Sequence, residues 1–157
     1  MKRKFITLKN KYCTVWLLLS CIYFISFHFL YLWDCAQTHH GYDGILTIFV
    51  FILSSPIFSA ISGWLGYKGT TKVFLPSLIT TLIMVVVYLP IFLGEAQHSY
   101  EQSLRYVPNT PSYLECLLEY IPSLLIMASP IFVMTLISSA ITKFIVRKKS
   151  TAKDITE

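Results

Sequence analysis

Charged residues are scarce in this 157-residue chain, at 13%, while 55% of its residues are hydrophobic. A soluble domain carries about 25% charged and roughly 45–50% apolar residues, so both figures exclude an ordinary water-soluble fold. The mean hydropathy of +0.62 agrees. Charge is missing altogether from Val15–Trp33, Ile45–Leu65, Val73–Leu93 and Ile121–Ile141. Catalytic signatures are missing too. There is no H-E-x-x-H, no G-x-S-x-G and no Gly-rich phosphate loop. The spans hold no Asp pair for intramembrane proteolysis, and Ser54, Ser55, Ser59 and Ser129 have no base at their depth. The chain therefore reads as non-enzymatic, with no catalytic residue and no cofactor, Asp43 and Glu101 being the one weak acid pair left over. Its four cysteines form no C-x-x-C, the exchange motif on which thiol-oxidising four-helix membrane proteins rely. No stripe of Lys or Arg interleaved with exposed aromatics is present, which excludes nucleic acid as a partner.

What the chain does have is length within its apolar blocks. A bilayer core about 30 Å thick takes roughly 20 residues of helix, and all four blocks meet that length. Barrel strands would alternate in polarity over about 10 residues, and these blocks do not alternate. The expected architecture is an all-α integral-membrane four-helix bundle built from two tandem transmembrane hairpins. The spans are 15–33, 45–65, 73–93 and 121–141. A basic N-terminus (1–14), loops 34–44, 66–72 and 94–120, and a basic tail (142–157) surround them. The first apolar run exceeds a signal-peptide core of about 7–15 residues and no A-x-A-like site closes it, so it reads as an uncleaved anchor.

Orientation follows from the charges. Of 13 basic residues, 12 fall in the N-terminus, the 66–72 loop and the tail, leaving only Arg105 opposite. Asp34, Asp43, Glu95, Glu101, Glu115 and Glu119 lie on the other side. The positive-inside bias then puts both termini in the cytoplasm of a bacterial cell, in the inner membrane. The formal charge of +5 reads as topology and anionic-lipid contact. Trp16, Trp33, Trp64, Tyr12, Tyr31, Tyr67, Tyr88 and Tyr120 cluster near the span ends as an interfacial belt.

The two halves resemble each other. Ala36-Gln37 followed by His40-Gly41-Tyr42-Asp43 matches Ala96-Gln97 followed by His98-Ser99-Tyr100-Glu101, and Ser55-Pro56-Ile57-Phe58 matches Ser129-Pro130-Ile131-Phe132. The order reads as a parallel internal duplication with a pseudo-twofold along the membrane normal. Chance recurrence in a small apolar alphabet is the alternative, since Pro90-Ile91-Phe92 repeats part of the motif again.

Ser55, Ser59 and Gly63 recur every four residues, with Ser62 and Gly66 as a second pair. Small residues at that spacing let helix backbones approach closely in lipid, here as an internal seam, with homo-oligomerisation the competing use. Pro56, Pro90 and Pro130 should kink their helices, and neighbouring serines can take up the freed carbonyls. Pro76, in a first turn, is harmless. Ser112 and Glu115 form an S-x-x-E capping box, predicting a short interfacial helix near 112–120.

Candidate chemistry is confined to a few groups. His40, His98, Asp43 and Glu101 are the residues that could hold zinc or copper, if the two halves meet; solvated loop polarity is the plainer reading. Cys35 and Cys116 fall on the oxidising side, where a disulfide is permitted. His28 is the one titratable imidazole inside a span, with no acidic partner expected at its depth. In size and layout the chain resembles small four-span immunity proteins that guard producers against pore-forming bacteriocins, a resemblance of architecture that covers no motif. It implies a binding protein of immunity, exclusion or accessory type, whose partners are the bilayer and another membrane protein. A small transporter or channel subunit, and an outer-face metal or thiol-redox factor, are the alternatives.

Overall fold

The computed structural model describes residues 2–37, 45–106 and 111–154. Within them the chain is helical: α1 (Lys2–Gln37), α2 (Ile45–Thr70), α3 (Phe74–Tyr106) and α4 (Tyr113–Asp154). All 4 are long and apolar enough to cross a membrane. In lipid, only a structure that satisfies every N–H and C=O internally avoids a large penalty, and a helix does so within one segment. Ile22, Phe29, Ile52, Leu53, Ile57, Val86, Leu125 and Ile126 stand exposed on its outside, a surface suited to acyl chains. The chain is a four-helix, multi-pass membrane protein.

Every helix outruns the apolar block that marks it. The basic stretch before Val15 is already helical from Lys2, and α2 ends at Thr70 rather than at Leu65. Residues 94–106, expected as loop, continue α3 to Tyr106. The short helix expected near 112–120 is instead the first part of α4, which runs unbroken through Pro122. Hydropathy marks the thickness of the bilayer, whereas a helix continues as long as its residues favour it, as Glu95-Ala96-Gln97 and Glu101-Gln102 do. At the start of α4 the Ser112 N–H and hydroxyl donate to Glu115 Oε2 at 2.6 and 3.0 Å, and the Glu115 N–H returns a bond to Ser112 Oγ at 3.3 Å. Pro130 deprives the Ile126 carbonyl of its usual donor, and Ser129 Oγ supplies one at 3.3 Å.

Contacts fix the directions. Trp16 with Ser62, Tyr23 with Phe58 and Phe27 with Phe51 pair rising numbers in α1 with falling numbers in α2. Ser62 with Thr80 and Gly66 with Pro76 do the same for α2–α3, and Phe74 with Phe132 and Phe92 with Tyr120 for α3–α4. Consecutive helices are therefore antiparallel. One end of the bundle carries Lys9, Lys11, Lys68, Lys72 and Lys143, and the other Asp34, Glu95, Glu101, Glu115 and Glu119. Around the bundle the order is α1–α2–α4–α3, with α2 also reaching α3 across the middle and no Cα of α1 within 8 Å of one of α4 among the described residues. A twofold exchanging α1 with α3 and α2 with α4 would carry the α2–α3 contact onto α1–α4. The packing lacks that symmetry, so the duplication rests on the sequence motifs alone.

The basic half of the core is small and polar. Trp16 Nε1 donates to Ser62 Oγ at 2.9 Å and lies 3.1 Å from Thr80 Oγ1, and the two hydroxyls sit 2.9 Å apart, tying three helices in a fully buried knot. Ser138 and Ser139 of α4 donate to the Ala60 and Gly63 carbonyls of α2 at 2.6 and 3.1 Å. That approach requires Gly63: a Cβ there would stand 2.6 Å from both Ser138 Cβ and the Thr135 carbonyl oxygen. Ser59, one turn earlier, is buried, while Ser55 is half-buried. Bonds between helices act as glue in lipid, where apolar burial gives no drive. Lys68 caps this end, its Nζ 4.3 Å from the Trp64 ring and 5.2 Å from that of Tyr12.

Candidate functional site

The acidic half packs differently. Phe24, Phe27, Phe51, Phe58, Met84, Tyr88, Ala128 and Ile131 form an apolar cluster, with Tyr23 stacked on Phe58 at 3.9 Å between centroids. Large rings of fixed shape leave gaps that serines and glycines do not, and beyond this cluster the helices part around a cavity of about 280 Å³. All four helices line it: Tyr31 from α1, Thr47 and Phe51 from α2, Tyr88, Phe92 and Glu95 from α3, and Tyr120, Ser123 and Met127 from α4. Apart from the Glu95 carboxylate and a few hydroxyls, its wall is apolar.

Several contacts hold this wall in place. The Tyr31 hydroxyl donates to Glu95 Oε1 at 3.1 Å, joining α1 to α3. Asp34, buried, accepts at Oδ2 from the Thr47 backbone N–H at 3.0 Å and from its hydroxyl at 3.1 Å. This carboxylate caps the first turn of α2 from a neighbouring helix, satisfying donors that would otherwise be orphaned. The Tyr120 and Ser99 hydroxyls lie 2.7 Å apart, and the Tyr120 ring meets Phe92 edge-on at 6.5 Å.

A second cavity adjoins the first and shares Tyr31, Ile91 and Glu95 with it; His28, Leu32, Pro90 and Gly94 complete its lining. His28 Nδ1 is itself closed off from solvent and has no hydrogen-bond partner among the described residues. The expectation that His28 has no acidic neighbour needs correction. Glu95 lies in the loop expected over 94–120, but α3 continues past Leu93 and runs parallel to α1, which brings the carboxylate to the cavity that His28 lines. The signal was present in the spacing: Met84, Tyr88, Ile91 and Glu95 recur at three to four residues, the period of one helix face.

The remaining candidates are scattered. His40 and Asp43 lie outside the described residues. His98 and Glu101 are exposed on the distal part of α3, where His98 Nε2 sits 2.8 Å from Gln102 Nε2 and Glu101 Oε1 accepts from Gln97 at 3.0 Å. Among the described residues no group of three or more His, Cys, Asp or Glu side chains is arranged to hold a metal ion. Neither Cys35 nor Cys116 is disulfide-bonded. No Cα of α1 comes within 8 Å of one of α4, and a disulfide needs a separation below about 7 Å, so the fold does not bring these two cysteines together. Gly63 and Ser59 lie in the α2 seam at the opposite end from the cavity. No protein-family model, no curated protein and no solved structure matches the chain.

Proposed function

We propose that the chain is a non-enzymatic binding protein of the bacterial inner membrane, with both termini in the cytoplasm, that recognises another membrane protein in the manner of an immunity, exclusion or accessory factor. The observation that carries this reading is the cavity of about 280 Å³ at the acidic end, which all four helices line. An apolar wall with a few fixed polar groups is the form that binding sites take. The twelve-to-one division of basic residues (12 of 13, with Arg105 alone opposite) supports the orientation, since Lys and Arg are retained on the cytoplasmic side. The acidic end, and the cavity with it, then faces away from the cytoplasm.

The test is photo-crosslinking in native membranes. A photoreactive phenylalanine analogue at Ile48 or Met127, which line the cavity, is expected to capture one discrete membrane protein. The same analogue at Leu18, on the outside of α1, should capture lipid. Lipid adducts alone at all three positions would refute the proposal.

A further inference from the structure

We propose that the acidic-end cavity receives a single organic cation on an apolar stem, an ammonium or guanidinium, with Glu95 as its counter-ion. This deepens the binding reading above and rests on it. Glu95 is half-buried in the walls of both cavities, and its one hydrogen bond among the described residues comes from the Tyr31 hydroxyl to Oε1. No cationic side chain pairs with it within 4.0 Å among those residues. A carboxylate partly withdrawn from water is stabilised by a positive charge or further donors, and one phenol supplies a single donor. Around it stand the faces that a cation needs. The His28 ring borders the smaller cavity, its Nδ1 closed off from solvent and without a hydrogen-bond partner among the described residues. Rings of Tyr31, Phe51, Tyr88, Phe92 and Tyr120 line the larger cavity, and aromatic faces attract ammonium and guanidinium groups. Ile48, Ile91 and Met127 offer an apolar wall to the stem. An anion would meet the carboxylate as a like charge, and a neutral ligand would leave it uncompensated.

Two sources supply this chemistry, a small organic amine and a Lys or Arg side chain of a membrane-inserted chain. The experiment separates them, using the full-length protein in phosphatidylcholine nanodiscs. One arm titrates hexylammonium, with hexanol as the neutral control. The other titrates a synthetic Leu/Ala helix with one Lys near its end, with a Leu-for-Lys helix as control. Each cation is expected to bind better than its neutral partner, and Glu95→Gln to weaken that binding roughly 10–100-fold, the loss typical of one charged hydrogen-bond partner. Tyr31→Phe removes the same internal bond but keeps the carboxylate, so it should retain binding and separates loss of charge from loss of packing. Binding of the peptide alone assigns the cation to an inserted chain, and binding of hexylammonium alone assigns it to a small amine. Equal affinity for charged and neutral probes, or full binding by Glu95→Gln, would overturn the inference while leaving a crosslinked partner standing.

Discussion

Replacing Gly63 by alanine tests the seam between α2 and α4. The added Cβ would stand 2.6 Å from Ser138 Cβ and 2.6 Å from the Thr135 carbonyl oxygen. An ordinary contact begins near 3.4 Å, so the helices must separate locally by about 0.8 Å. The Thr135 oxygen is backbone and cannot rotate away. Separation also stretches the bonds from Ser138 to the Ala60 carbonyl and from Ser139 to the Gly63 carbonyl. Interhelical bonds in membranes contribute about 0.6 kcal/mol each, and overpacking costs typically 1–3 kcal/mol. Alanine recovers up to about 1 kcal/mol of helix propensity. The expected net loss is about 2 kcal/mol, read as unfolding free energy by steric trapping in bicelles. Gly94 is the internal control, since a Cβ there meets nothing within 4 Å: Gly94→Ala should be neutral or slightly stabilising. Adding Ser138→Gly to Gly63→Ala should restore part of the loss, because only one of the two obstacles is removed. A Gly63→Ala protein as stable as Gly94→Ala would refute the close approach.

Two further outcomes follow from local geometry. Thr71, the residue after α2, sits at φ 62°, a left-handed conformation that costs an L-residue roughly 1–2 kcal/mol, so Thr71→Gly should stabilise the bundle by up to about 1 kcal/mol in the same assay. Asp34→Ala removes the carboxylate that caps the first turn of α2. It should cost about 1 kcal/mol, with faster amide exchange at Leu46–Ile48, and unchanged exchange there would refute the capping role.

The seam and the capping box were legible in the sequence because both are local. Ser59 and Gly63 recur at helical spacing, and Ser112 and Glu115 lie three residues apart, so no knowledge of neighbouring helices was needed. The four apolar blocks were legible for a similar reason, each being a property of one segment. The cavity was not, because it depends on which helices adjoin. Glu95 follows the third block by two residues and reads as loop; only the continuation of α3 and its parallel course beside α1 bring it to Tyr31 and His28. The same adjacency decides the cysteines: Cys35 and Cys116 look pairable along the sequence, yet α1 and α4 occupy opposite corners of the bundle.

The proposed function requires the cavity and the basic end to face opposite sides of the membrane, and cysteine accessibility measures that directly. In a variant lacking Cys13, Cys21, Cys35 and Cys116, single cysteines at Gln102 and Lys149 are treated with a membrane-impermeant maleimide on intact spheroplasts. The cysteine at 102 should label at once, and that at 149 only after the membrane is permeabilised. Labelling of both before permeabilisation, or of 149 alone, would contradict the account.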